Sequence, residues 1–340
     1  MTPNPIVSIT PNPALDLSGM VQQIIPDEKN YVHDEKLDPG GNAINAARII
    51  HRMNVPVTVS GFLGGGIGKE LKDLIAAEGL NHQFIEIRKS TRVCVTVSNR
   101  NTHHQTRLSF PGPQIATDEF ERLERFLETL LEGTLVVIGG SLPPGVNARN
   151  LSDLIKAAQK RKCECIVDVP GSILRELYQE SDMGPLLIKP NLLELGEFFG
   201  HKVTSLKEVV HAVRPILDKT PLVCVSSVEG GAALITPKGA WFGRIPKVRV
   251  KTSVGAGDSM VGSMCAVLHQ WKFKDRDDKG FYEAVNDKGG DLLRWGLAAA
   301  CATLTVTGTQ LGERADIEKY YSQIEIEKTH ELSRKGGPLS

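Results

Sequence analysis

The chain has 340 residues with 40 basic and 40 acidic side chains, and 41% of it is hydrophobic. Balanced charge argues against nucleic acid or an anionic membrane as partner, and no apolar run approaches the length needed to cross a bilayer. Met1-Thr-Pro-Asn-Pro-Ile-Val7 lacks the basic-then-apolar pattern of a secretory leader. The six cysteines (Cys94, Cys163, Cys165, Cys224, Cys265, Cys301) show no C-x-x-C spacing. Most fall in apolar stretches, where a free thiol packs as a small hydrophobe, so a reducing cytoplasm is the expected compartment.

In chain order, Ile6–Thr10 is a buried strand. Leu17–Asp38 reads as short alternating strands, followed by the turn Pro39-Gly40-Gly41 and a helix over Ala43–Met53. Strand Val57–Gly61 and helix Gly68–Ala77 come next. Thr91–Phe110 again alternates with little helix signal, before Pro111-Gly112. Helix Asp118–Leu131, strand Leu135–Gly139, helix Ala148–Lys160, and strands Cys165–Val169 and Leu186–Lys189 follow. Helix Leu206–Leu217 and strand Leu222–Ser226 complete the regular part. Strand–helix alternation of this kind gives a mainly parallel sheet covered by helices on both faces. The two irregular stretches predict a small β-layer that closes over a ligand or pairs with another subunit. Lys247–Lys251 reads as a strand leading into the helix of Met260–Leu268. The charged, glycine-containing stretch Lys272–Asp291 reads as a surface excursion, and the tail after Glu327 as frayed.

Five segments carry possible chemistry. Gly255-Ala256-Gly257-Asp258 opens an apolar helix, where small residues leave backbone N–H groups open to an anion. A transferring phosphoryl group needs such a site, and Asp258 in the first turn can take a hydroxyl proton; the same residues equally suit a capping turn. Gly40-Gly41-Asn42 lets a ligand approach the backbone, with Asn45 able to bind sugar hydroxyls, or is simply a tight turn capped by Asn42. Asn191 and Glu194, three apart on a first helical turn, can hold a hydrated Mg²⁺ or form a capping box, and one pair can do both. Gly139-Gly140-Ser141 ends a strand where ligands of open α/β sheets bind, and Ser226 to Gly231 follows another; both also read as ordinary connections.

Taken together, in this order, these segments resemble the PfkB (ribokinase-like) family of carbohydrate kinases from about Ile6 to Leu311. Ser8-Ile-Thr-Pro-Asn-Pro-Ala-Leu-Asp16, Gly140-Ser-Leu-Pro-Pro-Gly145 and Ser253-Val-Gly-Ala-Gly-Asp-Ser-Met-Val-Gly262 look like the branch acting on phosphorylated sugars. That branch includes PfkB-type 6-phosphofructokinases, 1-phosphofructokinases and tagatose-6-phosphate kinases.

The resemblance implies one αβα kinase domain over 1–330, with a β-sheet lid from about 14–38 and 91–110, and a polar tail at 331–340. It assigns Asp16, Gly40, Gly41, Asn45 and Ser141 to the sugar, and Lys29, Arg92 and Arg107 to its phosphate end. Lys189, Asn191, Ser226 and Gly231 fall to ATP, Asn191 and Glu194 to water-held Mg²⁺, and Asp258 to the base. A K⁺ near the loop before Gly255 and Thr303–Gly308 is a further implication; the homodimer expected through the lid rests instead on exposed sheet edges and apolar lid residues that need cover. The glycine turn without lysine, Arg107-Leu-Ser-Phe-Pro-Gly112 and Ala302–Thr309 favour the 6-phosphofructokinase pattern. Asn42 replaces a glycine, Tyr31 stands where a second basic phosphate ligand is often found, and Val228 replaces another glycine. A different phosphosugar acceptor is the nearest alternative; a catalytically silent sugar or nucleotide sensor is the alternative of another class.

Overall fold

The computed structural model describes residues 6–102, 104–180, 184–271 and 279–329. In chain order its strands are β1 (Ile6–Thr10), β2 (Ala14–Val21), β3 (His33–Gly40), β4 (Val57–Leu63), β5 (Asn81–His82), β6 (Ile85–Glu86), β7 (Arg92–Asn99), β8 (Gln105–Ser109), β9 (Leu135–Gly139), β10 (Glu164–Asp168), β11 (Leu187–Ile188), β12 (Leu222–Val228), β13 (Gly231–Thr236), β14 (Gly239–Arg244) and β15 (Ile326–Thr329). The helices are α1 (Asn42–Arg52), α2 (Gly65–Ala77), α3 (Thr117–Glu128), α4 (Ala148–Lys160), α5 (Gly171–Glu180), α6 (Leu192–Phe199), α7 (Leu206–Val213), α8 (Ala256–Gln270), α9 (Lys279–Leu304) and α10 (Arg314–Tyr321).

The main sheet has the order β15-β14-β13-β12-β11-β10-β9-β1-β4-β5, with β6 also on β4. From β12 to β5 all neighbours are parallel, and β13, β14 and β15 are added antiparallel. Every residue of β1, β9 and β10 is buried, which is why these strands read as unbroken apolar runs. Alternate residues serve opposite layers. Ile6, Leu135, Val137 and Ile166 pack with α1, α8 and α9, while Val7, Val136, Ile138 and Val167 pack with α3 to α7. The result is the expected αβα sandwich.

Four strands form a separate sheet, β3-β2-β7-β8. It stands where the two alternating stretches are, and its outer strands are open to solvent: β8 and most of β3 are exposed.

Three expectations fail. Lys247–Lys251 forms no ladder; β14 is already paired on both sides, so this segment lies against the end of α9, where the Lys251 N–H donates to the Leu304 carbonyl (2.8 Å). The described part of the supposed excursion, 279–291, is the first half of α9, and residues 272–278 lie outside the described residues. Its glycines are a packing device: a β-carbon on Gly289 would come within 2.6 Å of the Trp241 ring. Ile326–Thr329 is not frayed but is the sheet's edge strand, while the 331–340 tail lies outside the described residues.

Candidate active site

Parallel strands point their carboxyl ends the same way, so the loops after β1, β9, β10, β11 and β12 gather along one rim. Most of the chemistry-bearing residues lie there.

Helix α8 begins beyond Gly255, whose φ of 75° is left-handed, a conformation that favours glycine. The turn places Asp258 in the first helical turn, beside amides that have no intrahelical partner. Its Oδ2 accepts a hydrogen bond from Asn45 Nδ2 at 2.8 Å. Asn45 can reach because α1 and α8 touch: a β-carbon on Gly262 would lie 2.4 Å from the Ala46 carbonyl oxygen.

Burial, and then the neighbouring Asp168 carboxylate, push Asp258 up to about 7, against the opposing pull of Asn45 and Lys189. A carboxylate poised near neutrality is suited to take a proton. Lys189 is buried, its Nζ lies 3.3 Å from Asp168 Oδ1, and a β-carbon on Gly257 would sit 3.1 Å from that Nζ. Burial works against its charge, yet Asp168, Glu194 and Asp258 hold the ammonium above the usual lysine range. A cation and a helix N-terminus thus converge at Ala256-Gly257-Asp258, a place for transferable negative charge.

The second group is built at the lid's root. Asp16 and Asp38 face each other across β2 and β3, and a β-carbon on Gly40 would fall 2.4 Å from the Asp16 carboxyl carbon. Burial chiefly lifts Asp16 to about 6, against the pull of Arg92 and Arg107 and with Asp38 adding to the rise. Arg92 spans the root: its Nη1 donates to the Phe110 carbonyl (2.7 Å) and its Nη2 to the Asn12 carbonyl (2.8 Å) and Ser141 Oγ (3.3 Å). Its Nε and the Oδ1 of Asn12 are buried without a protein partner. A cavity of about 400 Å³ opens beside Arg92, lined also by Lys89, Ser90, Gly112 and Gln114.

Asn191 and Glu194 do form the capping box: the Glu194 N–H donates to Asn191 Oδ1 (2.9 Å), and the Asn191 N–H to Glu194 Oε2 (2.8 Å). Glu194 Oε1 takes no part in those bonds. Burial raises Glu194 despite the Asn191 amide and Lys189. Among the described residues no group of three or more His, Cys, Asp or Glu could hold a metal. The remaining Glu194 oxygen suits a cation that keeps its waters and leans on phosphate oxygens, as Mg²⁺ does.

Other predicted residues are spread around these groups. Gly41, not Asn42, caps α1, with φ 132°; Thr10 Oγ1 accepts from the Ile44 N–H (2.9 Å) in place of a cap side chain. Asn42 is exposed beside Gly140. Ser226 bridges to Asn191 across the rim, its N–H donating to the Pro190 carbonyl (3.0 Å). Val228 is fully buried in the core, and the left-handed conformation falls on Ser227 (φ 63°) instead. Gly231 is a buried strand residue packed against the Gly243 backbone, so sheet packing accounts for that glycine. Lys29 is exposed and not brought to the cluster; its ammonium lies 5.1 Å from the Tyr31 ring centre. Arg107 is exposed on β8, hydrogen-bonded to Gln105 (3.2 Å). Sequence reasoning passed over Asn12, Asp38 and Asp168. Asp168 left the clearest signal, an acid closing a buried strand before Pro170-Gly171.

Fold and site together are those of a ribokinase-like α/β kinase for small sugars. Residues 1–316 match the model of the pfkB family carbohydrate kinases, and the chain belongs to that family. It is 32% identical over 321 residues to ATP-dependent 6-phosphofructokinase isozyme 2 of Escherichia coli K12, covering 94% of this chain and 98% of that one. It is 31% identical to 1-phosphofructokinase of Bacillus subtilis (77% and 84% covered) and 31% to tagatose-6-phosphate kinase of Staphylococcus epidermidis (78% and 86%). The crystal structure of E. coli phosphofructokinase-2 in complex with potassium superposes with a TM-score of 0.84, at 32% identity over 97% of this chain and all of that one. Its complex with fructose-6-phosphate gives 0.82 at 30% identity, with the same coverage. The protein is thus an ATP-dependent, phosphofructokinase-type sugar phosphate kinase.

Proposed function

We propose that the protein phosphorylates O1 of fructose 6-phosphate with MgATP, yielding fructose 1,6-bisphosphate and ADP. The observation that carries the reaction is the Asp258 carboxylate, raised to about 7 and set in the first turn of α8 beside Lys189 and Asn45. Asp258 takes the O1 proton as O1 bonds to the γ-phosphorus and the bond to the β,γ-bridging oxygen breaks. ADP leaves, and the proton later passes to solvent. The amides of Gly255, Ala256, Gly257 and Asp258 with Lys189 stabilise the charge on the transferring group. Asn191 and Glu194 would hold Mg²⁺ through water, and the ion would supply neutralisation of phosphoryl charge. Asp16 and the Gly40–Gly41 turn bind sugar hydroxyls with Asn45. Arg92 and Ser141 hold the 6-phosphate, and Arg107 adds charge from the lid.

One feature supports fructose 6-phosphate over the other acceptors: the turn at Gly40 is pressed against Asp16 and carries no lysine. Ser226 borders the nucleotide. The segment ending in Gly255 lies on Leu304, and its carbonyls with those of Thr303–Gly308 suit K⁺; E. coli phosphofructokinase-2 has been crystallised with potassium.

Across the lid, Tyr31, Val32, Leu37, Leu108 and Phe110 are exposed. A second copy of this chain covers them; the similar E. coli phosphofructokinase-2 has a tetrameric inhibited form. No described helix is long and apolar enough to span a membrane; we place the enzyme in the cytoplasm, where the free thiols of Cys94, Cys163, Cys224, Cys265 and Cys301 are stable. A coupled ADP-release assay with fructose 6-phosphate, fructose 1-phosphate, tagatose 6-phosphate and fructose tests the reading. Fructose 6-phosphate should give the highest kcat/KM; a higher value for any other acceptor replaces it.

A further inference from the structure

A second concave site lies where the segment before the anion-binding turn meets α10. A groove of about 380 Å³ is lined by Lys247, Val248, Arg249, Lys251, Thr305, Lys319, Tyr320 and Gln323. Four of these are cations and none is an acid. The concentration is local, since the chain as a whole is neutral. None of the four forms an ion pair among the described residues, and the Lys319 ammonium lies over the Tyr320 ring, 5.6 Å from its centre. On α10 itself, the capping Glu313 pairs with Arg52 (3.3 Å) and Glu318 with Arg314 (2.8 Å).

A solvated surface carries its charges of both signs interspersed; a concavity holding like charges without a counter-charge raises the local concentration of anions. Lys247, Arg249 and Lys251 occupy alternate positions of one segment, and Lys319 comes from a different element. A ligand with several anionic groups can therefore engage cations from both walls, while Thr305, Tyr320 and Gln323 supply neutral hydrogen-bonding groups. We infer that this groove binds a small polyanion, such as a compound with two or more phosphoryl groups.

Its position gives the site a consequence for turnover, a step that rests on the reading of Gly255–Asp258 as the phosphoryl-binding turn. The N–H groups of Lys251 and Thr252 both donate to the Leu304 carbonyl (2.8 and 3.4 Å), next to Thr305 in the groove wall. Thr303 in turn bonds Ser259 Oγ (2.7 Å) and accepts from the Gly312 N–H (2.9 Å). A ligand that draws Lys251 toward α10 pulls on the strand of backbone that ends, four residues later, in Gly255.

Titration calorimetry with tripolyphosphate, on the wild type and on the Arg249→Gln/Lys319→Gln double variant, tests the site without using turnover. The double variant should bind at least tenfold more weakly than the wild type, and inorganic phosphate should bind the wild type more weakly than tripolyphosphate. Equal binding by both proteins, or no binding by the wild type, overturns the site. In parallel, kcat is measured at saturating substrates and fixed free Mg²⁺: tripolyphosphate should change it at least twofold in the wild type and leave the double variant unchanged. An equal change in both proteins overturns the link to the turn.

Discussion

The floor of the site and its lid are made of different material. Asp258, Lys189 and Asp168 sit at the ends of elements whose other residues are core: every residue of β10 is buried, as is nearly all of α8 from Ser259 to Leu268. The lid strands β3 and β8 are mostly exposed. On the floor the fold alone fixes the charges, and dryness raises Asp258 toward 7. On the lid only the root, where Arg92 is locked to Asn12, Phe110 and Ser141, has that rigidity. The proposed roles divide along the same line: chemistry on the floor, recognition at the root, and closure by the outer lid.

The largest effect should come from the floor. Asp258→Asn removes the proposed base and should lower kcat by about 10²–10⁴-fold, with little change in KM. Near-normal kcat would strip Asp258 of that role. The root comes next. Arg92→Ala deletes a charged donor and should raise KM for the phosphosugar roughly 10- to 100-fold, a loss of about 1.5–3 kcal/mol, with KM for ATP nearly unchanged. If both KM values rise alike, Arg92 holds the lid and not the phosphate.

How much of this division could be read from the chain? The floor was legible because its signals are local: Gly255-Ala-Gly-Asp258 must be a tight helix start, and Asn191-Leu-Leu-Glu194 must be a capping box. The sandwich was legible because strands buried on both faces leave unbroken apolar runs. What joins the parts was not. The Asn45–Asp258 bond spans 213 positions, and nothing at either residue announces the other. Asp168 is an ordinary strand-end acid until Lys189 is folded against it. Alternation misled at Lys247–Lys251 because a strand needs a free partner, and β14 had none to give. Glycines misled at 289–290 because close packing against Trp241 looks, in sequence, like a loop.

An intermediate effect concerns protons. Asp258 must be ionised to act, so kcat/KM should fall tenfold per pH unit below about 7, the value to which burial lifts it. Asn45 donates to the charged carboxylate and so holds that value down; Asn45→Ala should move the acidic limb to higher pH, with part of the lost rate recovered in alkaline buffer. A uniform loss at every pH would mean that Asn45 only shapes the site. The same shift has a stability side. A carboxyl group raised on folding binds more protons folded than unfolded between about 4 and 7, so wild-type stability falls as pH rises through that window. Asp258→Asn should therefore melt higher than the wild type at pH 8 and no higher at pH 4.

The smallest effects belong to the outer lid, and there the comparison is most easily broken. Lys29 is exposed, and its ammonium lies over the Tyr31 ring. An exposed charge of this kind contributes about 0–1 kcal/mol, so in a single subunit Lys29→Ala should change KM for the phosphosugar by no more than about fivefold. The Leu108→Ser/Phe110→Ser double variant, by contrast, removes two exposed apolar side chains without touching the core. Sedimentation should show it as a smaller species than the wild type, with kcat retained if the floor works alone. The two variants interlock. Should Lys29→Ala raise KM tenfold or more in the wild-type assembly but not in the Leu108→Ser/Phe110→Ser background, Lys29 acts only when a second copy closes the lid. The outer lid would then belong to recognition after all, and the boundary drawn at Arg92 would move outward to the subunit interface.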